Sequence, residues 1–259
     1  MNIKKTIIAT FILICGMLLF LFKNSTISNS DSRTLVVGTA AGYAPFVSIN
    51  QHGDYEGFDI DVAHALANEM GKELILKDLG SMASLFTALD QGSIDIIIWG
   101  LSITQDRLNK VAMVHYQGDE ISSFPLIFWE TIPVAVHSLA DMNDKTICVE
   151  PASSQDAVLS RYPLINKLPT EKIDDALLNI QYGKADAAFV EPAIAKKFKN
   201  KYPEIKQVDI VLTPEDHVHG VGIVIKKENT ALMLEVQQAI NVLKSTNIIK
   251  NLEEKWSIS

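Results

Sequence analysis

From Thr34 onward the spacing of hydrophobic positions changes in a regular rotation. Leu35-Val36-Val37-Gly38 reads as a strand, and Asn50 to Glu56, with Gly53-Asp54, carries turn chemistry. Between Asp59 and Met70 the apolar residues Ile60, Ala63, Leu66, Ala67 and Met70 recur at the helical interval and share one face. Glu73 to Lys77 returns to strand and residues 82–91 to helix. Ile94 to Trp99 is a continuous apolar run, expected to be one buried strand. Uninterrupted apolar strands separated by helices predict a parallel sheet covered on both faces.

The rotation then begins again: strand 146–149, a helix from about residue 155, helix 173–182, strand Ala187 to Val190 and helix 192–202. Phe124 to Trp129 and Ile210 to Leu212 are extended segments on either side of this middle unit. The chain is therefore expected to cross from one lobe to the other and back, with C-terminal helices 230–244 and 247–256 completing the first. The predicted architecture is α/β, with two lobes joined by two crossing strands. Lobe 1 takes residues 34–125 and 215–259, and lobe 2 takes residues 126–214. Such lobes form a cleft that closes on a ligand.

Composition narrows the partners. The chain has 259 residues, 47% of them hydrophobic and 21% charged, as in a folded protein. Its 31 acidic residues outnumber its 23 basic ones, and its arginines are Arg33, Arg107 and Arg161. That balance leaves no basic footprint and excludes nucleic acid. Lys4 and Lys5 precede an apolar run from Thr6 to Phe22, the pattern of an export signal. Residues 1–23 are expected to be a signal peptide or an N-terminal membrane anchor, and the Ser/Asn-rich residues 24–33 a tether. Small residues at Thr26-Ile27-Ser28 and Ser28-Asn29-Ser30 favour cleavage, while the length of the run favours retention. Bulky Ile14 before Cys15, and the apolar Met17–Phe22 beyond it, argue against lipid attachment there. The rest of the chain is expected in the periplasm or at the outer face of the inner membrane, touching membrane only through this segment. Cys148, in an apolar stretch, is expected to be a buried strand residue without a disulfide partner. A monomer is expected.

The sequence lacks a phosphate-binding loop, a paired-histidine zinc helix and a nucleophile elbow. Gly220-Val221-Gly222 is without the third glycine of a dinucleotide fingerprint and reads as a closely packed strand. His217 and His219 stand beside Asp216, but a pair without further spaced ligands makes a weak metal site. No metal, cofactor or catalytic residue is expected.

One constellation does carry chemistry. Gly100-Leu101-Ser102-Ile103-Thr104-Gln105-Asp106-Arg107 follows the apolar strand and opens a helix, leaving backbone N–H groups free for an anion. Arg107, in the first turn, can hold a carboxylate through two parallel hydrogen bonds, although a surface arginine on a capped helix fits the spacing as well. Ala152-Ser153-Ser154-Gln155-Asp156 repeats the device in the second lobe. Glu191 ends a strand just before Pro192, which suits the first turn of a helix, and is placed to meet a cation. Together these features describe a receptor for a zwitterion.

Several segments resemble the bacterial extracellular solute-binding proteins of family 3, which serve ABC importers of polar amino acids. They are Val37-Gly38-Thr39, Tyr43-Ala44-Pro45-Phe46, Gly57-Phe58-Asp59-Ile60-Asp61, Ile94-Asp95, Ser102–Arg107 and Ala185-Asp186-Ala187. Tyr116-Gln117-Gly118-Asp119-Glu120, Val190-Glu191-Pro192-Ala193-Ile194-Ala195 and Pro214-Glu215-Asp216 with Gly220-Val221-Gly222 are similar to arginine-binding members of chlamydial type. The resemblance implies the two-lobed periplasmic-binding-protein type II fold. It implies that Arg107 binds the α-carboxylate with the backbone N–H groups of Ser102 and Ser154. The α-ammonium would meet Glu191, the Ser102 hydroxyl and the Gly100 carbonyl, while Tyr43 would pack against the ligand side chain.

The chain departs from that pattern around the side-chain pocket. Ala40 stands where basic-amino-acid binders commonly place a polar or acidic residue. Met82 replaces an aromatic wall, and Trp99 replaces a small residue just before Gly100. Glu150, before Pro151, either points into the cleft to pair with a cationic ligand or is a solvated strand end. The expected site is therefore Tyr43, Met82, Trp99, Gly100, Ser102, Arg107, Glu150, Ser153, Ser154 and Glu191. The expected function is capture of an amino acid, arginine or lysine first, for an ABC permease. A polar neutral amino acid, a prephenate- or arogenate-type cyclohexadienyl dehydratase and a membrane-anchored sensor remain as alternatives. Asp59, Asp61 and Asp95 are expected to be structural, the first two capping or solvating a helix start.

Overall fold

A computed structural model describes residues 33–133 and 135–258. The expected signal or anchor, and all of the tether except Arg33, lie outside the described residues. In chain order the strands are β1 (Thr34–Thr39), β2 (Ser48–Ile49), β3 (Tyr55–Glu56), β4 (Glu73–Asp78), β5 (Ile96–Ile97) and β6 (Ala112–Ile121). They are followed by β7 (Ser123–Trp129), β8 (Thr146–Val149), β9 (Asn166–Pro169), β10 (Ala187–Phe189), β11 (Ile205–Val211) and β12 (Val218–Ile225).

Two five-stranded sheets form the cores of two α/β lobes, in the orders β4-β1-β5-β12-β6 and β11-β7-β10-β8-β9. The strands joined by helices, β4-β1-β5 and β10-β8-β9, are parallel as expected. The crossing strands enter each sheet antiparallel, so both sheets are mixed. β6 runs into β7 through Ser122. The return path leaves β11 and reaches β12 through a short 3-10 turn at Pro214–Asp216. The change of sheet thus falls at Ser122, rather than between residues 125 and 126 as the sequence suggests.

The run Ile94–Trp99 is buried throughout its apolar positions, yet only Ile96–Ile97 is a strand. Asp95 and Ile98 still donate to Val36 and Gly38 of β1, but Gly100 adopts φ +55 and turns the chain out of the sheet. Close packing of β12 against this exit requires glycine. A Cβ on Gly222 would lie 2.9 Å from Ile103.

Helix Phe58–Glu69 turns its apolar face inward, burying Phe58, Ile60, Ala63, Leu66 and Ala67, and packs against the C-terminal helices Thr230–Ser245 and Ile248–Trp256. Neither acid at its start behaves as the spacing predicts. Gly57 is the N-cap and no side chain caps the helix. Asp61 instead accepts from Lys255 Nζ at 2.7 Å and Trp256 Nε1 at 2.6 Å, tying the end of the chain to lobe 1. Asp59 is completely buried. Its N–H donates to the Phe46 carbonyl at 3.1 Å, an approach possible because Gly57 (φ 135) has no Cβ. An added Cβ would lie 2.1 Å from that carbonyl oxygen.

The second lobe buries Phe124 against Phe189, edge to face at 5.8 Å, and Cys148 within β8. Gly57→Ala combines a disfavoured φ with a backbone collision, so it should lower unfolding stability by about 1–3 kcal/mol. The loss should appear as a lower urea midpoint with an unchanged slope.

Candidate ligand-binding site

The short helix Gln105–Lys110 starts where Thr104 Oγ1 accepts the Arg107 N–H at 3.3 Å. This cap places Arg107 in the first turn, with its side chain lying between the lobes and only 9% exposed. Its Nη1 donates to the Ser102 carbonyl at 2.8 Å. Its Nη2 donates to Met82 Sδ at 3.4 Å and to the Ala152 carbonyl of the second lobe at 3.3 Å. Burial lowers the guanidinium pKa, while the charges of Glu191 and Glu150 hold it up. Ser102 is fixed by pairing with Val221 of β12, and the neighbouring Leu101 carbonyl accepts from Gly222 at 2.8 Å.

The second lobe meets this segment with two helix starts. Ser153 caps helix Ser154–Leu159 by accepting the Asp156 N–H at 3.0 Å, and Ala152 just before it has φ +62. Glu191 occupies the N-cap position of helix Pro192–Lys201, with Pro192 in the first turn as the sequence implies. Its carboxylate does not cap that helix. It reaches across the cleft and accepts the Ser102 Oγ–H at 2.8 Å. Burial raises the Glu191 pKa, opposed by the hydrogen bond from Ser102 and by the Arg107 charge.

All ten residues expected from the sequence line one small space between the lobes, joined by Leu101 and Gln155. Its volume is about 10 Å³, room for about one water, so the lobes stand closed on one another. Glu150 lines this space and is half-buried. Trp99 is 5% exposed and packs on Tyr43 with ring centroids 5.4 Å apart. Its Nε1 and the Ser154 Oγ are buried without a hydrogen-bond partner among the described residues. A second cavity of about 460 Å³ lies on the other side of Met82 and Arg107, bordered also by Phe86, Lys110, Ala157 and Glu215. Met82, Arg107, Ser153 and Ser154 line both spaces.

Beneath the site runs a file of rings. Trp99 meets Tyr43, Tyr43 stacks on Phe46 at 5.7 Å, Phe46 meets Phe58 at 6.4 Å, and Phe58 stacks on Tyr116 at 5.9 Å. The file ends where Tyr116 Oη donates to Asp59 at 2.6 Å, and Asp59 also accepts from the Gly100 backbone N–H. Asp59 therefore positions the glycine that turns the chain into the cleft. Burial pushes its pKa up to about 7 despite those two hydrogen bonds. Its other oxygen has no partner among the described residues, which leaves a place for the proton.

Sequence reasoning missed Gln155 and Asp59 as parts of this assembly. Gln155 lies in the quoted serine segment, and its helical position one residue past Ser154 was the available signal. His217 and His219 both face Glu120, at 2.6 and 3.9 Å, at the crossing between lobes. Among the described residues no group of three histidines, cysteines or acids is placed to hold a metal.

Comparison with known proteins identifies the family. Residues 35–259 match the family described as bacterial extracellular solute-binding proteins, family 3. The chain is 30% identical over 257 residues to the probable ABC transporter arginine-binding protein ArtJ of Chlamydia trachomatis, covering 99% of this chain and 98% of that protein. A Salmonella typhimurium periplasmic binding protein, described for high arginine specificity, superposes with a TM-score of 0.76 at 26% identity, over 86% of this chain and 99% of that one. The arginine-bound form of truncated ArgBP from T. maritima gives 0.72 at 28% identity, over 82% and 96% of the two chains.

The buried carboxyl beneath the site makes stability depend on pH in a defined direction. Asp59 has its pKa raised from 3.8 to about 7 on folding, so the folded state holds a proton that the unfolded state has released. Its contribution is fully present below the unfolded value and is lost as pH rises through about 7. Asp59→Asn removes that dependence. Urea unfolding should show the stability of the variant, relative to the natural protein, rising from about pH 5 to about pH 8.

Proposed function

This chain belongs to the bacterial extracellular solute-binding proteins, family 3, and works outside the cytoplasm as an amino-acid receptor for an ABC importer, not as an enzyme; we propose that its ligand is a basic amino acid, arginine or lysine. The observation that carries this reading is a set of ionisable groups: one guanidinium, Arg107, and two carboxyl groups, Glu191 and Glu150, border a single small space. A ligand with one carboxylate and two cationic groups complements all three. A neutral amino acid offers Glu150 no cation to pair with and forgoes that charge-assisted contact.

In this reading Arg107 takes the α-carboxylate, assisted by the backbone N–H groups of Ser102 and Ser154, with Ser153 fixing that helix start. Glu191, the Ser102 hydroxyl and the Gly100 carbonyl take the α-ammonium. Tyr43, Met82 and Trp99 pack the stem of the side chain, and Glu150 receives its distal cation. The closed contacts are ones that a zwitterion can take over. The Arg107 Nη2 interactions with Met82 and Ala152 give way to ligand oxygens, and the ligand ammonium joins Ser102 at Glu191. The lobes must part to admit the ligand. Closure is then favoured by the extra contacts made only when both lobes hold it. A single chain presents the closed form to the permease.

Calorimetric titration of the exported protein, unfolded and refolded to remove any carried ligand, should show arginine or lysine binding more tightly than glutamine. Arg107→Ala should weaken binding at least about a hundredfold, since it removes one side of a buried hydrogen-bonded charge pair. Tighter binding of glutamine than of both basic amino acids would overturn the reading.

A further inference from the structure

We propose that Glu150 sorts ligands by exchanging its own proton for the ligand's distal cation, so that a cationic amino acid is captured with release of a proton and a neutral one without it. The proposal rests on the basic-ligand reading above and goes beyond it in assigning where the balancing charge resides when no cation is present.

Glu150 follows β8 directly and faces the small space between the lobes from the second lobe. Charged and titratable groups bear on it from each element around it. Arg107 comes from helix Gln105–Lys110, Glu191 from the start of helix Pro192–Lys201, Glu171 from beyond β9 and Tyr43 from the turn after β1. Tyr43 stays neutral, because burial and the neighbouring acids raise its pKa well above 10. Asp59 lies behind Tyr43 with Tyr116 and Gly100 as its partners.

The charges of the space itself then decide the outcome. With both glutamates ionised, Arg107 leaves one negative charge over beside a space of about 10 Å³, room for about one water. One proton makes the set neutral. Glu191 is the poorer holder of that proton, since Ser102 donates to it and Gln155 lies beside it. Among the described residues Glu150 has only the Arg107 charge favouring its ionised form, and burial with two acidic neighbours pushes its pKa up to about 8. Near neutral pH it therefore holds the proton. An arriving zwitterion adds a carboxylate and an ammonium that cancel, while a guanidinium or ammonium at the end of its side chain adds one positive charge. The Glu150 O–H bond then breaks, the proton passes to solvent as the lobes part and reclose, and the carboxylate pairs with the ligand cation. The closed site is neutral before and after. With a neutral amino acid the proton stays.

The test is titration of the exported protein with arginine at about pH 7 in phosphate and in Tris, whose ionisation enthalpies differ. Release of about one proton per arginine bound is expected. Affinity for arginine should also rise by up to about tenfold per pH unit between about pH 6 and pH 7 and level off above about 8. Glu150→Gln should abolish the release and weaken arginine binding at least about tenfold. Arginine binding with equal enthalpy in the two buffers and no pH dependence would overturn the exchange while leaving the basic-ligand reading intact, and so would release that persists in Glu150→Gln. Failure of both basic amino acids to bind, with a neutral one binding, would overturn both. The buffer comparison on the natural protein decides the matter even if the variant does not fold.

Discussion

A buried guanidinium has to be surrounded by acceptors, and those around Arg107 come from both lobes. The Ser102 carbonyl and Met82 sulfur belong to one lobe, and the Ala152 carbonyl to the other. Glu191 brings opposite charge from the second lobe, and Glu150 a second carboxyl group. Leaving such a charge without partners is strongly unfavourable, so the closed arrangement of the lobes and the charge of Arg107 are one constraint. Local features follow from it. Ala152 takes a left-handed conformation that places its carbonyl in reach, and Glu191 leaves its helix without a side-chain cap in order to span the cleft. A missing cap costs about 1 kcal/mol in an ordinary helix, and Pro192 removes one of the N–H groups that would have needed it.

The same geometry explains why the receptor needs no chemistry of its own. The hydrogen bonds that Arg107 and Glu191 make across the cleft each have a counterpart in the backbone portion of an amino acid. Exchange of protein partners for ligand partners lets the lobes separate and rejoin without a buried charge being stranded for long. Tyr43, Met82 and Trp99 give the space between the lobes its larger apolar walls. Met82, unbranched and flexible, is one of four residues that border both this space and the larger cavity next to it.

The sequence carried much of this because the site is assembled from local signals. Arg107, Ser153 and Glu191 each sit at a helix start announced by Ser, Thr or Pro, and a helix start that follows a strand points its first turn at the cleft. The order of strands and helices was legible from apolar spacing for the same reason. Non-local effects were not. Asp59 looks like a helix-start acid until Tyr116, 57 residues further on, closes over it. Ile94–Trp99 looks like one strand until Gly100 turns the chain away, and the change of sheet at Ser122 has no turn residue to mark it. The orientation of Glu150 depends on a lobe that the local sequence does not contain.

The aromatic file under the site has an optical consequence. Of the three tryptophans, Trp129 rests on Tyr202 in the second lobe and Trp256 is hydrogen-bonded to Asp61 near the end of the chain. Trp99 alone borders the small space between the lobes, with an indole N–H that has no partner among the described residues. A ligand that reaches this N–H, or that parts the indole from Tyr43, alters the polarity felt by one fluorophore and leaves the other two as constant background. The protein thus carries an intrinsic emission probe at the wall of its own cleft.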